Sequence, residues 1–221
     1  PIEYLRSLPL GLLVGAFGTL IGAGGGFILM PVLLVIYPRD KTELITAISL
    51  AVVFFNALSG SFAYARMKRV DYKSGIAFSI ATIPGAILGA LSTAYVPRRA
   101  FDLIFGVLMI IAAVFLWLSA KEEHATSPTP KIAPVSEKAG TRLTERDLVD
   151  AEGVHYRYAF DLRIGVVLSI FVGYLSSLLG VGGGFIHVPA LSRLLNFPVH
   201  IATATSHFVL AIMALTGTLV H

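Results

Sequence analysis

Within the longest apolar stretches of this chain, the groups able to do polar chemistry are hydroxyls, an amide, two imidazoles and two runs of glycine. The stretch "LIGAGGGFILMP" (20–31) has a counterpart in "LLGVGGGFIHVP" (178–189), which pairs Gly24, Gly25 and Gly26 with Gly182, Gly183 and Gly184. Nearby in the apolar sequence lie Thr46, Ser49 and Asn56 in the first half, and Thr203, Ser206, His187 and His207 in the second. Ser59, Ser61, Thr205 and Thr216 add hydroxyls of the same kind. Neutral donors suit a small oxyanion that must bind and then leave, and either histidine could donate to an anion or carry a proton. A plainer reading competes at each position: Ser and Thr bond their own i−4 carbonyls and hold helices together, and a membrane histidine serves as an interhelical donor. His187 and His207 stand where the first copy has Leu29 and Leu50, so the repeat itself does not require them.

Two explanations compete for the glycines as well. Gly11, Gly15, Gly18, Gly22 and Gly26 fall at intervals of three and four, and Gly173, Ser176, Gly180 and Gly184 repeat that stripe in small residues. Such a stripe lets another helix approach closely. It leaves out Gly24 and Gly25, and an interior glycine costs a helix roughly 1 kcal/mol against alanine. The triple glycine is therefore expected to interrupt the helix. Backbone freed inside a bilayer must be satisfied by protein or line a wet cavity. The N-terminus of a half-helix then offers free N–H groups and a positive dipole end to an anion. Pro31 is expected in the first turn of the restarting helix. Each interrupted segment could be one tilted, broken crossing, giving parallel repeats, or two arms that re-enter on one face, giving inverted repeats. Nucleotide binding is excluded, because "GAGGGF" lacks the following Lys-Ser/Thr of a P-loop and has the wrong spacing for GxGxxG.

These groups must be positioned by membrane helices. The chain is 56% hydrophobic and 14% charged, against about a quarter charged in soluble domains. Windows free of Asp, Glu, Lys and Arg run over 7–38, 44–65, 74–96, 103–120, 164–192 and 201–221. A crossing needs roughly 20 apolar residues, so the expected fold is an all-α polytopic membrane protein of about six visible segments. The first window is too long for a cleaved signal peptide. The net charge of +4 sits in the connections, where it sets topology and does not suggest nucleic acid. No carboxylate relay lies deep in a window, and with no cysteine there is no thiolate or disulfide chemistry. No cofactor or metal is expected.

The repeat continues beyond the glycines, where "TAISLAVVFFNALSGS" (46–61) faces "TATSHFVLAIMALTGT" (203–218) with a one-residue shift. We read residues 1–120 as a first transmembrane repeat and 163–221 as a second, truncated one. The complete protein is expected to have about eight segments, and the opening Pro1 points to a fragment. Residues 121–162 form a linker. Its start, "SPTPKIAPVSEKAG", has flexible-linker composition. Its end, "GVHYRYAFDL", alternates with a strand period and allows a small β-hairpin turning at Ala151-Glu152-Gly153. Arg66, Lys68, Arg69 and Lys73 share a face with the linker, which is thereby placed in the cytoplasm.

With GxGGGFxxxPxL in both halves, TAxS opening the next helix, "SGSFAYARMKRVDY" after it and "PGAILGAL" in the third segment, the chain resembles the sulfite exporter TauE/SafE family. The resemblance implies an inner-membrane permease for sulfite, sulfoacetate or related sulfur-containing anions. Expected partners are that anion and the lipid bilayer, with a homodimer as a further possibility. With the cytoplasm negative, expelling an anion gains roughly 2.3 kcal/mol per charge per 100 mV, which favours export. An importer, or a sensor or scaffold without transport, are the alternatives. An embedded hydrolase is disfavoured, because Ser59-Gly60 lacks a GxSG context and a base.

Overall fold

The computed structural model describes residues 11, 14–19, 24–123 and 143–221, with the backbone course alone for 112 and 115–123. Gly22 and the linker start "SPTPKIAPVSEKAG" lie outside the described residues. Residues 14–19 are helical. They are followed by α1 Gly26–Ile36, α2 Thr42–Arg66, α3 Tyr72–Thr93 and α4 Arg98–Glu123. Then come strands β1 Thr144–Val149 and β2 His155–Phe160, and helices α5 Leu162–Leu179, α6 Gly184–Leu194 and α7 Val199–Val220. Among the described residues, α2, α3, α5 and α7 are long and apolar enough to cross a membrane. They turn large apolar side chains outward, including Phe55, Phe62, Ile80, Leu88, Val167 and Leu219, an extent of exposed hydrocarbon that only lipid or a partner can cover. The protein is a multi-pass helical membrane protein.

Both glycine runs interrupt the helix. α1 and α6 have 11 residues each and start on the third glycine of their runs. Gly24 and Gly182 take nearly the same left-handed φ, 73° and 74°, a conformation that costs only glycine nothing. The next residues differ, with Gly25 at φ 82° and Gly183 at φ −63°. Pro31 and Pro189 are the sixth residues of their helices, in the second turn instead of the expected first. Each therefore leaves the carbonyl four residues earlier without its helical donor.

The second interrupted segment, 164–192, which the sequence left open between one broken crossing and two returning arms, is a helical hairpin. Ser169 Oγ lies 3.3 Å from His187 Nε2, and the Leu195 side chain sits against Gly165. Residues late in the segment thus lie beside residues early in it. α6 runs back along α5, and its end returns to the face where α5 began.

Glycine sets how closely the long helices pack. A Cβ on Gly85 would collide with the Ile170 carbonyl, one on Gly89 with the Tyr174 carbonyl, and one on Gly173 with that of Thr82. α3 and α5 therefore run parallel with backbones in contact, held also by Thr93 Oγ1 donating to the Leu178 carbonyl at 3.1 Å. α2 and α7 run antiparallel, since Gly60 meets the His207 ring while Gly217 meets Leu50. Gly60 aligns with Gly217 in the sequence, and Leu50 with His207, so each contact is the other with the halves exchanged. A second exchange pairs Tyr64 Oη donating to the Thr19 carbonyl (3.3 Å) with His221 Nε2 donating to the Ser177 carbonyl (3.1 Å). The glycine stripe is used unevenly. Gly15 faces Asn56, Gly18 packs on its own returning arm at Gly24 and Gly25, and Gly11 meets nothing within 4 Å among the described residues.

β1 and β2 form the expected hairpin, with Thr144 opposite Phe160 and Val149 opposite His155. Asp150 shapes its turn by accepting from the Glu152 and Val154 N–H groups, and it is bridged by Arg69 at 3.1 Å. Burial works against this carboxylate, but the Val154 N–H, Arg69 and the other donors outweigh it and hold its pKa below the ordinary value. Asp71, the N-cap of α3, accepts from Ser74, from Tyr158 Oη at 2.8 Å and from Arg146 at 3.3 Å. Burial and the Asp71 carboxylate push the Tyr158 phenol well above its usual pKa, so it stays a neutral donor. Tyr158 and Phe160 pack on Phe197, Phe78, Leu191 and Leu195. The hairpin thus lies against the end of α6 and the starts of α3 and α7. On the opposite face, Arg98 at the start of α4 donates to the Leu34 and Asp40 carbonyls.

Candidate functional site

The two breaks meet. A Cβ on Gly26 would strike the Val181 backbone, and one on Gly24 would strike Leu210. Val53 touches Gly24, Gly26 and Gly182. Val53 and Leu210 correspond in the two copies, and each sits near mid-helix between the breaks. The first break is closely filled, with Gly25 against Val14, Gly26 against Val181 and Gly24 against Leu210 and Val53.

The second break retains space. Gly183 and Gly184 border a recess with His187, Ser206, Thr82, Val172, Val209, Leu210 and Met213, with room for about one water. At the start of α6, Ile186 and His187 are the first residues to donate back, both to the Gly183 carbonyl. The N–H groups of Gly183, Gly184 and Phe185 have no acceptor among the described residues, as a helix N-terminus leaves them. Ser206 is 1% exposed and its hydroxyl has no partner among the described residues. His187, 2% exposed, sits edge-on to Phe78 with centroids 6.0 Å apart. A helix N-terminus carries a partial positive charge and is the kind of place where an anion can bind.

Of the sequence candidates, the structure brings Gly183, Gly184, His187 and Ser206 together in this recess. The others lie elsewhere. Ser49 spends its hydroxyl on the Gly180 carbonyl at 2.6 Å, while Thr46 packs on Gly180 with its own hydroxyl unpartnered. Asn56 accepts from Thr19 at 2.9 Å, and its amide nitrogen has no partner among the described residues. His207 bonds the Thr203 carbonyl through Nδ1 at 3.1 Å, leaving Nε2 unpartnered beside Gly60 and Tyr64. Thr203 enters through that carbonyl. Sequence reasoning missed Thr82 and Ser169, which reach His187 and the recess from α3 and α5. The signal for Thr82 was a hydroxyl two residues before Pro84 in "ATIPGA", but placing it needed the α3–α5 packing.

The family model described as "Sulfite exporter TauE/SafE" matches residues 7–221. The Bacillus subtilis "Probable membrane transporter protein YunE" is 35% identical, over 100% of this chain and 78% of its own length. A "Probable membrane transporter protein" of Methanocaldococcus jannaschii is 27% identical over 97% of this chain and 72% of its own. One of Xylella fastidiosa is 27% identical over 94% and 69%. No solved structure matches the chain. With a family model covering nearly every residue and a relative at this identity along the whole chain, the protein belongs to the sulfite exporter TauE/SafE family.

Proposed function

We propose that the protein exports sulfite, sulfoacetate or a related small sulfur-containing anion across the inner membrane, through an internally duplicated helical frame whose paired breaks form the binding centre. The observation that carries this reading is the recess at the start of α6, bordered by Gly183, Gly184, His187 and Ser206, whose buried hydroxyl has no partner among the described residues; with room for about one water, it must widen to admit the anion. Neutral donors hold an anion without the deep well that a lysine or arginine would create, which suits a carrier. The exchanged contact pairs of α2 and α7 support duplication. Their antiparallel course and the return of α6 along α5 favour inverted repeats. The hairpin face is assigned to the cytoplasm, since Arg66, Lys68, Arg69 and Lys73 gather at it. Export then follows the membrane potential.

Flux of radiolabelled sulfite, sulfoacetate, sulfate and chloride in proteoliposomes of the full-length protein tests this. Gly183→Leu, which must displace Val172, is expected to cut sulfur-anion flux at least tenfold, roughly what one lost charge-assisted hydrogen bond is worth. Unchanged flux in a well-folded Gly183→Leu protein rejects the site, and no flux of any anion rejects the function.

A further inference from the structure

We infer that the β-hairpin is the gate on its own face of the membrane. It seals the recess at the start of α6 through an aromatic plug, and a latch of Tyr158 and Arg146 on Asp71 holds it shut. This rests on the reading of the recess as the transport centre.

The recess, with room for about one water, passes no anion as it stands, so something between it and the surface has to move. On the hairpin side that space is a column of buried side chains. Thr82 borders the recess from α3, and Phe78, Ser74 and the N-cap Asp71 follow at intervals of about one turn toward the face. None of the four is more than 4% exposed. Phe78 stands edge-on to His187. It also meets Phe160 of β2 at 6.1 Å between centroids and Phe197 of the α6–α7 connection at 6.3 Å. Phe197 in turn holds Tyr158 at 4.5 Å and Phe160 at 4.8 Å. α3 is fixed, since its backbone rests on that of α5 at Gly85, Gly89 and Gly173. The hairpin crosses no membrane and can leave the plug without unpacking the long helices.

The latch sits at the outer end of the column. Tyr158 Oη donates to Asp71 Oδ2 at 2.8 Å, and Arg146 Nε lies 3.3 Å from the same oxygen. One residue from each strand thus grips one carboxylate. Asp71 is itself anchored, accepting from the Ser74 N–H and donating its own N–H to Thr205 Oγ1 of α7 at 3.1 Å. Aromatic packing tolerates sliding, whereas a buried carboxylate stripped of its donors is costly. Asp71 therefore either keeps the hairpin in place or meets water, which gives two defined positions, closed and open.

Thiol accessibility in sealed vesicles of the full-length protein tests this. The chain has no cysteine, so Ser206→Cys places a single reporter in the recess, and a membrane-impermeant methanethiosulfonate added on the hairpin side reads how often the gate opens. Tyr158→Phe keeps the ring in the plug and removes only the latching hydroxyl. It should speed modification of the reporter about tenfold or more, the worth of one hydrogen bond to a charged group. Arg146→Ala should speed it severalfold, and the two changes together more than either. Arg157→Ala removes an exposed bond to Asp147 on the same hairpin and should leave the rate unchanged. Equal rates with and without the latch substitutions, in folded protein, overturn the gate and leave the transport reading standing. Acceleration by Arg157→Ala as large as that by Tyr158→Phe also overturns it, since any loosening of the hairpin would then suffice. Faster modification in the latch variants, with no flux of any anion in the unaltered protein, supports the gate and rejects only the transport reading.

Discussion

A Cβ on Gly26 would have to occupy the space of the Val181 carbonyl, and that contact joins the two breaks. Backbone cannot yield as a flexible side chain can, so Gly26→Ala should behave as an overpacking substitution, costing about 1–3 kcal/mol. Gly106, in α4, meets nothing within 4 Å among the described residues, and alanine there should be neutral or slightly stabilising. Thermal unfolding of both variants in one detergent checks this, and equal melting temperatures would mean the breaks do not touch. The sequence revealed the triple glycines because helices tolerate them poorly. It could not separate Gly25 from Gly183, which align yet differ in φ, because local sequence carries no record of what each glycine packs against. The hydroxyls were less legible still. Ser49 and Ser206 align, but Ser49 is tied to the Gly180 carbonyl and Ser206 is unpartnered, a distinction made by tertiary neighbours.

At the scale of elements, the β-hairpin was legible from its alternation, while its docking was not, because Arg69 meets Asp150, and Asp71 meets Arg146 and Tyr158, across long sequence separations. Asp150 holds both its own turn and the end of α2 through Arg69. Asp150→Ala should accelerate hydrogen exchange of the hairpin amides on the order of tenfold, since two turn N–H groups and a guanidinium lose their acceptor. The pH dependence has a definite sign. The folded-state pKa lies below the model-peptide value of 3.8, so the carboxylate's contribution is fully present above that value. It is lost as pH falls through the lower folded value. Hairpin protection, corrected for intrinsic exchange, should stay constant from neutral pH down to about 4 and drop below it. In Asp150→Ala the acid step should shrink. The α3–α5 contact was likewise hidden. "PGAILGAL" read as a family signature, whereas Gly85 and Gly89 serve to bring α3 onto the carbonyls of α5.

For the whole molecule, the open question in the sequence was whether the interrupted segments cross or return. Hydropathy measures length and apolarity, and a crossing and a tight helical hairpin have the same profile. Contacts distinguish them, since Leu195 lies at Gly165 and His187 at Ser169. Topology then follows. His200, at the start of α7, and Glu152, in the hairpin, belong to one face, while Asp40 and Tyr95 belong to the other. All four positions are exposed, and the chain has no cysteine of its own, so single cysteines report without background. His200→Cys and Glu152→Cys should react with a membrane-impermeant maleimide from the same side of sealed vesicles, and Asp40→Cys and Tyr95→Cys only from the other. Were 164–192 one broken crossing, His200 would change sides while Glu152 stayed. Labelling of His200→Cys together with Asp40→Cys would therefore reject the returning α6 and, with it, the inverted arrangement that places the two glycine breaks back to back.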